Sequence, residues 1–379
     1  MNSKKVAVLI GTRPGIVKMS PLVHELKRRN ANHIVIHSGQ HYSEEMDKRI
    51  MQDVGLNEPD YHIRRHDSWI THAQQTAYML TAIEEILLNE RPEIFLVCGD
   101  ANTNLAGALA ARKIHVKVGH VESGLRSFDW RMPEEHNRVI IDHISDYLFA
   151  PTNESKRYLL EDGVKGKIFV VGNTIVDATL KYAEKAKKER FSKVKELADN
   201  KSYILATLHR EENVDHKEIL ENIIDAFVEI STINETPIIF PIHPRTRKMV
   251  KEFGLMDKLL EIKSLRLVEP MTYLDFLAFL ANASVVMTDS GGLQEESCIL
   301  KVPCITLRES TERHETVKIG ANQVAGTKKK KIVEKYEKVW RGKDKIRNWK
   351  NPYGDGNTSR RIIDTCFNGA PEDEFICDA

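Results

Sequence analysis

Short apolar runs alternate with amphipathic stretches along nearly the whole chain, and that alternation leaves few folds open. The runs at 6–10, 34–37, 94–98, 116–119, 147–150 and 168–171 read as buried strands. A second set lies at 203–207, 237–241, 265–268, 285–288 and 304–307. Helical periodicity fills the gaps, most clearly at 21–29, 72–88, 105–112, 219–230 and 273–280. Elements alternating over such spacings predict an α/β protein with parallel sheets covered by helices on both faces. The pattern pauses at 173–177 and then enters a charged helix, 182–197, with no strand nearby. Two domains are therefore expected, 1–173 and 174–351, as two copies of one architecture. A chain of 379 residues is long enough for two cores.

In open α/β sheets, ligands bind outside the carboxyl ends of the strands. In this chain nearly every such end carries polar chemistry, which core packing does not require. The first half has GTRPG with Lys18, then Gly99-Asp100, then HVESGLR from His120, then PEEHNR from Pro133. The second has His209 to Asn213, then His243-Pro244-Arg245, then Asp289-Ser290-Gly291-Gly292, then Arg308 to Glu315. Strand, glycine turn and helix start at 285–300 is a layout that offers free N–H groups and a positive helix end to an anion. Without a Lys-Ser/Thr after the glycines it is not a Walker A loop, and it lacks the dinucleotide spacing. Glu295 and Glu296, expected in the first helical turn, are placed to accept from ribose hydroxyls. Their alternative role is simply to favour the helix dipole.

Three carboxylates of the first half, Asp100, Glu122 and Glu134, sit in or beside glycine or proline turns. Facing one cleft they would repel one another and raise a pKa toward the range useful for acid/base catalysis. The alternative is structural pairing with Arg13, Arg126 or Arg138, which is the reading preferred for Glu135. Asp100 serves equally well, on sequence alone, as a cap of the helix that follows. The second half is richer in cations, and Arg210, Arg245, Arg308 and Arg313 with the SGG turn suit a diphosphate. His209 beside Arg210 is the better functional histidine; His243, before a proline, serves shape or base contact. No H-E-x-x-H or H-x-x-E-H pattern exists, so no metal site is expected.

A formal net charge of +1 gives no electrostatic case for nucleic acid or an anionic membrane as partner. No apolar run approaches bilayer length, and the one at 6–10 is too brief for a signal peptide. Five cysteines without a C-x-x-C pair read as buried thiols of a reducing compartment, so a cytoplasmic protein is expected. The lysine run 328–331 reads as exposed loop.

The motifs GTRPGIVKMSPL, GDANTNLAGALAA, GHVESGLRS, MPEEHNR, TLHREEN, PIHPR, TDSGGLQEE, RESTERHE and NPYGDG occur in an order that resembles the non-hydrolysing UDP-N-acetylglucosamine 2-epimerases. The resemblance runs from about residue 6 to 363. It implies a glycosyltransferase-B-like fold, two Rossmann-like domains facing a cleft, with residues from about 352 to 379 returning to complete the first. It also implies interconversion of UDP-GlcNAc and UDP-ManNAc for glycan precursors, by a cytoplasmic homodimer without NAD or a required metal. By position, Asp100, Glu122, Glu134 and His209 match the family's catalytic residues. Arg13, Lys18, His243, Ser290, Gly291, Gly292, Glu296, Arg308 and Arg313 match substrate- or UDP-binding positions, with Glu296 on the ribose. Gln40 and His41 match part of a regulatory region. Three departures stand out: Gly15 where a Glu commonly follows GTRP, His314 in place of a usual Pro, and an altered loop from Gly320. The competing readings are the hydrolysing relative, a transferase of the same architecture and a nucleotide-sugar sensor.

Overall fold

The computed structural model describes residues 4–40, 44–64, 71–342 and 347–368. His41 and Cys377 lie outside them. The chain divides into two compact units, 1–178 with 353–379 and 179–352.

The first unit runs β1 (Val6–Ile10), α1 (Arg13–Arg28), β2 (His33–His37), α2 (Glu44–Asp53), β3 (Tyr61–His62), α3 (His72–Glu90) and β4 (Ile94–Cys98). It continues α4 (Asn102–Lys113), β5 (Lys117–Val121), α5 (Pro133–Ile144), β6 (Tyr147–Ala150), α6 (Asn153–Glu161) and β7 (Lys167–Val170). The next helix, α7 (Thr174–Leu197), contains the division between the units. Its seven strands are parallel in the order β3-β2-β1-β4-β5-β6-β7. Every position of β1 and β4 is buried, as expected of central strands covered on both faces.

The second unit runs β8 (Ile204–Thr207), α8 (Glu211–Val214), α9 (Lys217–Asn234), β9 (Ile238–Pro241), α10 (Pro244–Glu252), α11 (Met256–Leu260) and β10 (Leu265–Val268). Then come α12 (Tyr273–Asn282), β11 (Val285–Thr288), α13 (Gly291–Ile299), β12 (Cys304–Thr306), α14 (His314–Lys318), β13 (Asn322–Val324) and α15 (Lys329–Gly342). Six parallel strands take the order β10-β9-β8-β11-β12-β13, the same winding as in the first unit. In both sheets the order reverses beside the first strand, between β1 and β4 and between β8 and β11. Those are the switch points where an α/β sheet opens a crevice.

The last helix, α16 (Thr358–Asn368), belongs to the first unit. Arg29, which caps the C-terminus of α1, pairs with Asp364 at 2.6 Å, and Lys4 Nζ donates to the Phe367 carbonyl at 2.8 Å. Asp177 caps α16 by accepting from the N–H groups of Thr358 and Ser359, at 3.2 and 2.8 Å.

Three local differences from the sequence reading have physical causes. Helix α1 begins eight positions earlier than expected and runs straight through Pro21. Thr12 caps it by accepting from Gly15 N–H at 3.2 Å, and Pro14 sits in the first turn, where a missing N–H costs nothing. The Val17 carbonyl that Pro21 cannot serve accepts from Ser20 Oγ at 2.8 Å instead. Short edge strands β3 and β13 carry too few apolar residues to register. The lysine run opens α15, not a loop, and Lys329 pairs with Glu229 at 2.9 Å.

Cys98, Cys298, Cys304 and Cys366 are buried free thiols, and burial pushes the last three up to about 12. Among the described residues, no helix is long and apolar enough to cross a membrane.

Candidate functional site

The switch point of the first sheet opens into a cavity of about 280 Å³. Lys18, Asp100, Glu122 and Glu134 all line it, with Thr12, Gly15, Gln40 and Asn137. Arg13 lies in the same turn, at the start of α1, but is not among the walls.

Glu122 follows β5 in the left-handed region, at φ +69°. This conformation is uncommon outside glycine and is kept where surrounding structure fixes it. Its side chain is only 4% exposed, and both oxygens accept from Lys18 Nζ at 2.6 Å. Asn173 Nδ2 adds a third bond at 3.3 Å. Asp100 follows Gly99, itself at φ +77°, and accepts from Arg138 Nη2 at 2.5 Å while remaining 35% exposed. It does not cap α4, whose N-cap is Ala101 with no side-chain bond. Glu134 sits in the first turn of α5, facing the cavity, and its carboxylate meets no hydrogen-bond or ion-pair partner among the described residues. The expected crowd of bare carboxylates is therefore one open carboxylate beside two that are each balanced by a cation.

Glu135 takes the structural pairing with Arg138 that its sequence suggests. Burial opposes its ionisation, but the N–H groups of Ser127 and Phe128, the Ser127 hydroxyl and Arg138 outweigh that and hold it below the usual carboxylate range. Arg126 pairs with Asp142 and Asp162, at 2.7 and 2.6 Å. His120 is buried between the Asp142 carboxylate at 2.7 Å and the Gly99 carbonyl at 3.0 Å. Both of its ring nitrogens are thus engaged beneath the Gly99-Asp100 turn.

In the second unit, the sheet's switch point brings His209 and the SGG turn together. His209 Nδ1 lies 3.0 Å from Asp289 Oδ1, with the histidine ring 37% exposed and Asp289 wholly buried. Asp289 also accepts from the backbone N–H groups of His209 and Arg210, each at 3.0 Å, and from Asn213 Nδ2 at 3.2 Å. Burial alone would raise this carboxyl; the bonds from His209 and Arg210 prevail and hold it low. Sequence reasoning quoted Asp289 only as part of the turn and gave it no role. An Asp at the last position before a glycine turn, opposite a histidine at the end of the neighbouring strand, was the available signal. The ring of His243 lies 5.8 Å from that of His209, and its Nδ1 accepts from Arg245 N–H at 3.2 Å, capping α10.

Ser290 caps α13 by accepting from Leu293 N–H at 3.4 Å, so Gly291 and Gly292 form the first turn. Glu295 and Glu296 consequently fall one turn later than expected. Glu295 is fully buried against Arg313 Nε at 2.8 Å, whereas Glu296 accepts from the Tyr273 hydroxyl at 3.1 Å. Arg308 is buried, donating from Nε to Glu212 and from Nη1 to Glu312, both at 2.9 Å. Arg245, counted among the cradle cations, is taken up by Asp215 and Glu211. Among the described residues no cluster of three or more His, Cys, Asp or Glu side chains is arranged to hold a metal ion.

Comparison with known proteins gives this geometry a context. The family profile described as UDP-N-acetylglucosamine 2-epimerase matches residues 24–366. The UDP-N-acetylglucosamine 2-epimerase of Methanocaldococcus jannaschii is 51% identical over 363 residues, covering 95% of this chain and 98% of that protein. The UDP-2,3-diacetamido-2,3-dideoxy-D-glucuronate 2-epimerase of Pseudomonas aeruginosa is 39% identical over 364 residues, covering 95% and 98%. The crystal structure of M. jannaschii UDP-GlcNAc 2-epimerase in complex with UDP-GlcNAc and UDP superposes with a TM-score of 0.86 at 49% identity, covering 96% of this chain and 100% of that one. The two parallel sheets with their helices are thus of the glycosyltransferase-B-like class. With a profile spanning most of its length and relatives this similar end to end, the chain belongs to the UDP-N-acetylglucosamine 2-epimerase family.

Proposed function

We propose that this protein inverts C2 of UDP-GlcNAc to give UDP-ManNAc, reversibly and without hydrolysis. The C2 proton is not adjacent to a carbonyl, so direct abstraction would leave a poorly stabilised carbanion. Elimination avoids that. The C1–O bond to UDP breaks with its electron pair leaving on the diphosphate, and a carboxylate takes the C2 proton, giving 2-acetamidoglucal and UDP. Proton delivery to the opposite face of C2 and return of UDP to C1 complete the epimer.

The observation that carries this reading is the carboxylate-lined cavity of the first unit. Glu134, open to the cavity and without a partner among the described residues, suits proton transfer, with Asp100 as the second acid/base group. Glu122, balanced by Lys18, serves as acid/base or steadies positive charge developing at C1, and Arg13 joins Lys18 on the substrate. The second unit supports departure of UDP: negative charge growing on the diphosphate is met by the α13 start at Ser290, Gly291 and Gly292, by Arg308 and Arg313, and by His209. His243 contacts the nucleotide and Glu296 the ribose. In the same reading the enzyme is a cytoplasmic homodimer needing neither NAD nor a metal.

Proton NMR of the purified protein with UDP-GlcNAc in D2O, with a chelator and no NAD, tests this. Deuterium at C2 of both epimers is the expected result. Free ManNAc and UDP would point to the hydrolysing reaction, and inertness in folded protein that binds UDP would overturn epimerisation of this sugar. The 39% identical relative that acts on a diacetamido glucuronate makes that sugar nucleotide the second substrate to try.

A further inference from the structure

The start of α13, assigned above to the diphosphate, faces an anion of the protein's own. Glu312 Oε1 lies so close to Gly291 that a Cβ on that glycine would meet it at 2.5 Å. Glu312 Oε2 accepts from Arg308 Nη1 at 2.9 Å, and the Glu312 side chain is only 9% exposed. Arg313 follows directly in the chain, and the charge of Arg210 also acts on the same carboxylate. Nε of Arg210 is shut off from solvent and hydrogen-bonded to nothing among the described residues. A helix start and the Arg308 guanidinium thus meet on one buried carboxylate, with the charges of Arg210 and of Arg313, itself paired with Glu295, acting on it from nearby.

We propose that Glu312 is a built-in stand-in for the diphosphate: it holds the cradle when no nucleotide is bound, and the nucleotide's diphosphate must displace it. The inference rests on the assignment of the SGG turn and the arginines to UDP. Two anions cannot share one low-dielectric cradle without strong repulsion. Burial disfavours the Glu312 charge, yet Arg313, Arg308 and Arg210 hold the carboxyl down to about 2, so it remains an anion at any working pH. The consequence is a cradle that stays neutralised and folded when empty, at the expense of affinity for UDP. Looser grip on the leaving product is useful to an enzyme that must turn over.

The test compares wild type with Glu312→Gln by calorimetric titration of UDP and of uridine, and by thermal melting with and without UDP. We expect UDP to bind about tenfold more tightly to the variant, the difference of roughly one charge-assisted hydrogen bond. Uridine, lacking phosphate, should bind both alike. The empty variant should melt lower and gain more on adding UDP. A merely structural Glu312 would instead lower melting equally with and without UDP and leave affinity unchanged or weaker, which would overturn the proposal. Glu312→Ala, which removes the anion altogether, should bind UDP more tightly as the Gln variant does and covers the case in which that one fails to fold. A crystal structure of wild type with UDP supplies a reading free of substitutions. Glu312 should have left Arg308, and its staying there would refute displacement. Failure of wild type to bind UDP at all would refute the nucleotide assignment itself.

Discussion

At Glu134 and Asp289 the same functional group plays opposite parts, because its surroundings differ. Glu134 has no hydrogen-bond or ion-pair partner among the described residues, so Glu134→Gln should leave the melting temperature where it is while kcat falls by about 10²–10⁴, the usual worth of an acid/base group. Steady-state kinetics and a melting curve on one preparation check both halves. Asp289 holds two backbone N–H groups, Asn213 and the His209 ring. An Asn there would turn an N–H toward other N–H groups, so Asp289→Asn should cost about 1–3 kcal/mol in urea unfolding. It should also lower kcat about a hundredfold or more through a misaligned His209. Glu312 provides a pH signature. Its folded pKa of about 2 lies below the ordinary 4.5, so its contribution to stability is full above about 4.5 and is lost as pH falls toward 2. Wild type should therefore lose more stability than Glu312→Gln between pH 6 and pH 3, read as urea midpoints. At this scale the sequence displayed candidates for the chemistry but not their partners. Lys18 on Glu122 and Arg138 on Asp100 join segments far apart in the chain, and no local spacing encodes such pairs.

Elements were more legible than their ends. Central strands β1, β4 and β11 are buried throughout and almost wholly apolar, and stood out at their true limits. Edge strands of two or three residues did not. The start of α1 was hidden because Pro21 is a stop signal in isolation, and only the Ser20 hydroxyl bond to Val17 shows how the helix tolerates it. Helix α4 illustrates a constraint that periodicity never shows: it lies so near the sheet that a Cβ at Gly107 would meet Leu9 Cδ2 at 2.5 Å and Phe95 at 3.0 Å. Gly107→Ala should cost about 1–3 kcal/mol by overpacking, with KM for the substrate unchanged. Chemical denaturation alongside kinetics separates the two effects.

For the whole molecule, the repeated strand order explains why the two halves read alike. Each half gathers most of its candidate chemistry at the same topological point, the loops after the first, fourth and fifth strands of its sheet in chain order. Composition carried little here: a balanced charge gave no electrostatic case for a partner and named none. The crossing of α16 back to the first unit rests on long-range contacts, Arg29 with Asp364 and Asp177 with the α16 start. Ending the chain after residue 352 should therefore destabilise the first unit selectively, seen as an early unfolding step or increased hydrogen exchange in α1, while the second keeps its protection.

That returning helix also sets an order of events during synthesis. The second unit is continuous from 179 to 352 and has all its parts once that stretch has left the ribosome. The first unit, although made first, waits with one face of α1 uncovered until α16 emerges. The half that is translated earliest is thus finished last, and the nascent chain carries an exposed docking face through most of its own production.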